Sequence, residues 1–201
     1  MELCSFLLNK AASGMDYLSY REAVRQAVMR NGTTGNEQTE VLAAYTVLNH
    51  VRMDRWDRTL TLRPDLTEQL RQIEGQTWLV LTEGWCGDAA QNLPFIARMA
   101  SEAKGVHLRI LGRDAHPDLM DLYLTNTTRS IPKLIAVNGW GHELFQWGPR
   151  PGPAQRMVME NKDLPEGERL HYEDISRALH TWYARDKGAR IQQEFLELLK
   201  T

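Results

Sequence analysis

Residues 78–94 read WLVLTEGWCGDAAQNLP. The first five residues, Trp78 to Thr82, form the continuous apolar run expected of a strand buried on both faces. After a short loop, Cys86 stands at the predicted start of a helix that extends to about Ala103. A cysteine in the first turn of a helix faces unpaired backbone N–H groups, and these favour thiolate over thiol. The stretch therefore predicts a strand, a loop and a helix with a thiol at its N-terminus.

The two residues that follow Cys86 act on it in opposite ways. Gly87 carries no side chain, so it leaves room for the backbone of a substrate to approach the thiol. The carboxylate of Asp88 disfavours the thiolate by Coulomb repulsion, although an acid in the first turn stabilises the helix. An isolated cysteine is more often a small buried hydrophobe than a nucleophile. Cys86 therefore needs a second signal before chemistry is assigned to it.

That second signal is the segment Arg129-Ser130-Ile131-Pro132, whose proline lies 46 residues after Cys86 and is followed by KLIAVNG. Pro94, eight residues after Cys86, supplies a third. Together they resemble the thioredoxin family, which has the pattern Trp-Cys-Gly-Pro-Cys, a helix-kinking proline, and an Arg-Gly-Ile-Pro segment with a cis proline. The resemblance covers roughly residues 59–160 and implies an α/β fold, a thioredoxin-like three-layer sandwich with a mixed central sheet.

The resemblance also implies roles for individual residues. Cys86 would be the catalytic nucleophile of a thiol–disulfide oxidoreductase that acts on protein or small-thiol disulfides and serves cell redox homeostasis. A cis Ile131–Pro132 bond would hold a backbone edge exposed beside the thiol, where an extended substrate pairs. The residues expected to shape this substrate surface are Trp85, Gly87, Asp88, Ile131 and Pro132.

The departures from the family pattern limit this chemistry. Ala89 stands where the family has its second cysteine, and Val80 stands where many members bury an acid. Without the second thiol, a mixed disulfide at Cys86 cannot be resolved from the same helix. Three interpretations stay open: a monothiol reaction with an external low-molecular-weight thiol as reductant, resolution by Cys4 if the amino terminus folds back, or a redox-inactive thioredoxin-fold adaptor or chaperone-like module that binds proteins.

Outside these residues, the sequence offers Lys133 and the histidines as candidates for a site. Lys133 follows Pro132, so its charge would favour a thiolate if it lay near Cys86; the alternative is a solvated strand end. The six histidines have no ligand-like spacing to one another or to cysteine. We therefore predict neither a metal site nor a bound cofactor.

Composition excludes several classes of protein. The 201 residues carry a formal net charge of −2, which gives no basis for binding nucleic acid or an anionic membrane surface. No apolar run approaches the ~20 residues of a membrane helix, and the amino end lacks the basic residues and cleavage site of a signal peptide. Two cysteines cannot build a disulfide framework, which fits a reducing compartment. We expect a cytoplasmic protein.

The hydrophobic pattern divides the chain into three parts: an N-terminal helical extension at 1–58, the thioredoxin-like domain at 59–160 and a C-terminal helical segment at 161–201 packed on it. The extensions could bind a partner protein. Smaller predictions include a capping box from Ser19 to Glu22, a strand at 60–62, a cap by Asp114 and a hairpin over 132–148. The inward face of the second helix is predicted from its apolar residues, which are Val41, Ala44, Tyr45, Leu48, Val51 and Trp56.

Overall fold

The computed structural model describes residues 2–200. Its strands are β1 (Gln76–Thr82), β2 (Val106–Gly112), β3 (Lys133–Asn138) and β4 (Glu143–Trp147). Its helices are α1 (Leu3–Ser13), α2 (Tyr17–Met29), α3 (Glu40–Thr59), α4 (Pro64–Leu70), α5 (Gly87–Glu102), α6 (Pro117–Met120), α7 (Gly152–Asp163), α8 (Tyr172–Asp186) and α9 (Ala189–Leu198), with a 3-10 turn at Glu166–Glu168.

The four strands form one mixed sheet in the order β2-β1-β3-β4. Strand β1 pairs in parallel with β2 and antiparallel with β3, while β3 and β4 form the predicted antiparallel hairpin. Helices pack on both faces, so the structure confirms the predicted thioredoxin-like α/β sandwich. The parallel connection from β1 to β2 runs through α5, which places the start of α5 at the carboxyl end of β1.

Alternate residues of β1 face the two layers of the core. Leu79 and Leu81 pack in a cluster with Leu7 of α1, on the same side of the sheet as α6. Trp78 and Val80 face the other layer, in a cluster with residues of α2 to α5 and α9. The flanking helices at both ends of the chain therefore contribute to the core of the central sheet.

The predicted inward face of α3 is wrong except at Trp56. Val41 is 64% exposed and Val51 is 59% exposed. The residues that α3 buries are Ala43, Thr46, Asn49, Met53 and Trp56. Asn49 turns inward because its side-chain amide donates a hydrogen bond to the carbonyl of Gly84, in the loop before Cys86. A polar contact thus fixes the rotation of the helix, and the apolar residues alone do not reveal it.

Three smaller predictions are also wrong. Residues 60–62 form no strand, and the chain there is an irregular link into α4. Helix α2 begins one turn earlier than the Ser19–Glu22 spacing predicts, because Asp16 is its N-cap and accepts a bond from the backbone N–H of Ser19. The N-cap of α6 is His116, and the backbone N–H of Asp114 instead donates to Glu83.

Candidate functional site

Cys86 is the N-cap residue of α5, as the sequence predicts. Its Sγ accepts a hydrogen bond from the backbone N–H of Ala89 at 3.4 Å and donates one to the carbonyl oxygen of Ile131 at 3.2 Å. The Ile131–Pro132 peptide bond is cis. The first turn of α5 and the segment around Pro132 therefore meet at the thiol.

The thiol is shielded and protonated in this structure. Cys86 is only 7% exposed, and this burial, followed by the negative charge of Asp88, raises the pKa of its thiol to about 12. The backbone N–H of Ala89 and the guanidinium of Arg150 act in the opposite direction, with a smaller effect. The bond that Sγ donates to Ile131 also requires the proton. The effect of desolvation on the thiol pKa is thus larger than the opposite effect of the helix N-terminus.

Asp88 is the centre of a buried hydrogen-bond network. Arg150 donates to Oδ2 of Asp88 from Nε at 2.9 Å and from Nη2 at 2.6 Å. The hydroxyl of Tyr183 donates to Oδ1 at 2.7 Å, and the side-chain amide of Asn92 donates to that hydroxyl at 2.9 Å. A carboxylate that accepts two guanidinium N–H groups on Oδ2 and a hydroxyl on Oδ1 is held in one orientation. The network joins the turn beside the thiol to α8 and to the segment that leads into α7.

The space above Gly87 is occupied by side chains of α8 and α3. A Cβ placed on Gly87 would lie 3.0 Å from Nε2 of His180 and 3.6 Å from Nη1 of Arg52. Burial and the nearby charge of Arg52 lower the pKa of His180 to about 4, so this imidazole is neutral near pH 7. The absence of a side chain at Gly87 therefore accommodates His180 in this structure.

The prediction of an exposed backbone edge beside the thiol is wrong for this structure. Ile131 is 5% exposed and Pro132 is also buried. The Ile131 carbonyl is already used, because it accepts the bond from the Cys86 thiol. The carbonyl that a substrate strand would need at this point is therefore covered and already bonded.

Trp85 and Lys133 lie away from the Asp88 network. The guanidinium of Arg113 stacks over the Trp85 ring at 4.8 Å from its centroid. Lys133 is 7% exposed, so the alternative of a solvated strand end is wrong. Burial lowers the pKa of Lys133, and the charge that opposes this effect is that of Glu143 on β4. The cation that acts on the Cys86 thiol is Arg150.

Glu83 is a buried carboxylate that the sequence analysis missed. It is 1% exposed; Thr34 Oγ1 donates to it at 2.6 Å and the backbone N–H of Asp114 donates at 3.1 Å. Burial raises the pKa of Glu83. Because Thr34 Oγ1 also accepts from the backbone N–H of Gly84, the loop between α2 and α3 is fixed to the loop before Cys86. The available signal was that Glu83 is the first charged residue after the apolar strand.

Cys4 lies far from Cys86. Its carbonyl approaches Gly141 so closely that a Cβ there would be 2.5 Å from this oxygen. Gly141 is in the turn between β3 and β4, whereas Pro132 precedes the other end of β3. Six residues of strand separate the two ends by about 20 Å. The structure therefore does not bring the two thiols together.

A pocket of about 420 Å³ adjoins the first turn of α5, where Gly87 and Asp88 line it. Gly87, Asp88 and Ser130 form one side of it, and residues of α7 and α8 form the other. Within residues 2–200, no cluster of His, Cys, Asp and Glu could hold a metal ion. No helix in the same range is long and apolar enough to cross a membrane.

The mixed sheet, the thiol at the start of α5 and the proline segment beside it define a thioredoxin-like protein with a single site thiol. A family model described as thioredoxin matches residues 35–164, which is more than half of the chain. The chain therefore belongs to the thioredoxin family.

Solved structures share the fold over nearly the whole chain. A Pseudomonas aeruginosa protein of unknown function is 16% identical with a TM-score of 0.60, and the match covers 95% of each chain. An HIV epitope-scaffold is 17% identical with a TM-score of 0.57, and the match covers 96% of each chain. No curated protein matches this chain. The shared fold thus extends beyond residues 35–164 into the flanking helices.

Proposed function

We propose that this protein is a thiol–disulfide oxidoreductase that acts as a monothiol through Cys86, with an external low-molecular-weight thiol as reductant in a reducing, cytoplasmic environment. The observation that carries the proposal is the position of Sγ. It lies at the start of α5 and is hydrogen-bonded to the carbonyl of the residue before Pro132. Membership of the thioredoxin family supports the same reaction class.

The reaction proceeds by two exchange steps. The Cys86 thiol loses its proton, and the thiolate attacks one sulfur of a disulfide R–S–S–R′; the Cys86–S–S–R bond forms as the S–S bond breaks and R′S⁻ leaves. Ala89 cannot resolve this mixed disulfide. The thiolate of the external reductant therefore attacks the R sulfur. This attack releases the Cys86 thiolate and forms a new disulfide between R and the reductant.

In its resting form, Cys86 would exchange with disulfides slowly. A thiol with a pKa of about 12 is ionised in about one molecule in 10⁵ at pH 7. Exchange therefore requires that Cys86 regain contact with solvent. The bonds from Arg150 and Tyr183 to Asp88 tie α8 and the segment before α7 to this turn, beside a hydrogen bond between Gln91 and His180. Opening of these contacts would expose the thiol and so control the rate.

A second candidate is favoured by the same burial. A redox-inactive adaptor does not require an exposed thiol. Ala89 stands in place of the family's second cysteine, and Val80 stands in place of its buried acid. In that case the flanking helices would bind a partner protein, and Cys86 would be a packing residue beside the sheet.

Turnover separates the two candidates. We expect the Cys4→Ala protein to reduce a glutathionylated peptide in the presence of excess glutathione, and we expect Cys86→Ser to lose this activity completely. Equal turnover by Cys4→Ala and the double variant Cys4→Ala/Cys86→Ser would exclude Cys86 as the nucleophile. No turnover above the uncatalysed rate by either protein would favour the adaptor.

A further inference from the structure

The pocket beside Cys86 has the size of a small-molecule site. Its volume of about 420 Å³ lies within the range of about 300–1,000 Å³ that is usual for ligand pockets. Gly87 and Asp88, which follow the thiol, and Ser130, which precedes Ile131, form its inner side. A ligand in this pocket would therefore lie against the two residues that follow Cys86, while Cys86 itself, 7% exposed, is not among the lining residues.

The C-terminal helices limit what can enter. Arg150 and Tyr183 tie their segment to Asp88 in the first turn of α5. The edge at Ile131 and Pro132, along which an extended polypeptide would pair, is buried. A short molecule can occupy the pocket without such pairing, whereas an extended polypeptide could pair with this edge only after the helices move.

The lining has one positive charge that no acid in it neutralises and one polar atom without a hydrogen-bond partner among residues 2–200. Arg150 is neutralised by Asp88, and His180 is neutral near pH 7, which leaves the exposed ammonium of Lys162. Within residues 2–200, no hydrogen-bond partner is found for the buried Oγ1 of Thr125, which also lines the pocket.

The rest of the lining is mixed: four apolar residues stand among uncharged polar ones, and they are Val158, Met159, Ile175 and Leu179. These side chains suit a short aliphatic body, while Lys162 and Thr125 suit an anionic oxygen acceptor. The lining therefore combines an apolar surface with an anion-attracting rim.

We propose that the substrate of this site is a small aliphatic disulfide that carries a carboxylate, held in the pocket with its carboxylate toward Lys162 and its disulfide toward Cys86. This inference rests on the proposed function for its chemistry. The exchange is the one written above, with R bearing the carboxylate. Because Cys86 does not line the pocket, exchange with the bound disulfide uses the same opening at Asp88 that the proposed function requires.

Binding without reaction tests the inference. The variant Cys4→Ala/Cys86→Ser, which has no thiol, is titrated by NMR with 3,3′-dithiodipropionic acid and with its uncharged dimethyl ester. We expect the acid to shift resonances of the pocket residues and to bind about tenfold more tightly than the ester. Equal affinity for the two, or no binding of the acid, would overturn the proposal.

A matched pair of variants tests the role of Lys162. Lys162→Glu should weaken binding of the acid about tenfold, whereas Lys104→Glu should leave it unchanged. Lys104 makes the same charge change on an exposed turn beyond the other end of α5. An equal loss in both variants would show a general charge effect and would contradict a site at Lys162.

The same reagents separate this inference from the proposed function. If the thiol-free protein binds the acid but Cys86 never exchanges with it, the pocket stands and the oxidoreductase fails. If Cys86 exchanges equally with acid and ester and Lys162→Glu has no effect, the oxidoreductase stands and the pocket assignment is wrong.

Discussion

The pKa of the Cys86 thiol is set by opposing local effects. A helix N-terminus normally lowers the pKa of a cysteine, but here burial and then the charge of Asp88 raise it. In the Cys4→Ala protein we expect the rate of alkylation by iodoacetamide to keep rising with pH through pH 10. A rate that levels off below pH 9 would mean that Sγ is solvated and activated.

His180 makes the free energy of unfolding depend on pH in the acid range. Its folded-state pKa is about 4, below its ordinary value of 6.5, so the unfolded chain binds a proton more readily. The stability that this residue contributes is present above about pH 6.5 and is lost as the pH falls toward 4. Urea unfolding at pH 7.5 and pH 5 should show a smaller loss of stability in His180→Gln than in the unmodified protein. An identical loss in both would contradict the neutral buried imidazole.

Sequence analysis predicted the residues next to the thiol better than the residues that contact them across space. Asp88 was expected to oppose the thiolate, and it does. Its partners Arg150 and Tyr183 lie 62 and 95 residues away, with no local pattern that joins them. Pairing of this kind is set by how helices dock, and a single sequence does not encode it in its spacing.

At the scale of elements, the rotation of α3 is the clearest test of the packing. Met53 is 1% exposed and Val51 is 59% exposed on the same helix. We expect Met53→Ala to lower the free energy of unfolding by about 2–5 kcal/mol and Val51→Ala by less than about 0.5 kcal/mol. Chemical denaturation measures both. The reverse order would restore the face that the apolar pattern predicts.

Helix α8 contacts the start of α5 through the hydroxyl of Tyr183 and the imidazole of His180. Tyr183→Phe removes the bond to Asp88 and leaves Asn92 without that acceptor, which weakens the contact by about 1.5–3 kcal/mol. If this contact limits opening, Cys86 should react with iodoacetamide about tenfold faster or more.

Tyr172→Phe is the matched control, because it removes a hydroxyl from an exposed residue on the same helix. Its alkylation rate should equal that of the parent Cys4→Ala protein. An unchanged rate in Tyr183→Phe would mean that α8 does not gate the thiol.

The elements themselves were predicted where local chemistry decides them. The buried run of β1, the start of α5 at Cys86 and the β3–β4 hairpin follow from apolar periodicity and turn residues. The rotation of α3 could not be predicted in this way, because Asn49 faces inward and donates to the Gly84 carbonyl. A polar residue that packs inward looks like a surface residue in the sequence.

At the scale of the whole molecule, the flanking helices belong to the core. Tyr20 and Val24 of α2 and Phe195 of α9 share a cluster with residues of the central sheet. The Phe195 ring lies 5.4 Å from the Trp78 ring, measured between centroids. The motifs at Cys86 and Pro132 were enough to predict the sandwich. They carry no information on how the two ends of the chain cover it.

On the proposed function, Cys86 is a protected thiol that still exchanges with small disulfides. The most direct measurement is intact mass spectrometry of the Cys4→Ala protein after incubation with 3,3′-dithiodipropionic acid at pH 7.5. We predict a single adduct at Cys86 that excess external thiol removes, and that forms faster in Cys4→Ala/Tyr183→Phe. No adduct in either protein under conditions that label the urea-unfolded chain would contradict the claim and leave the adaptor as the function.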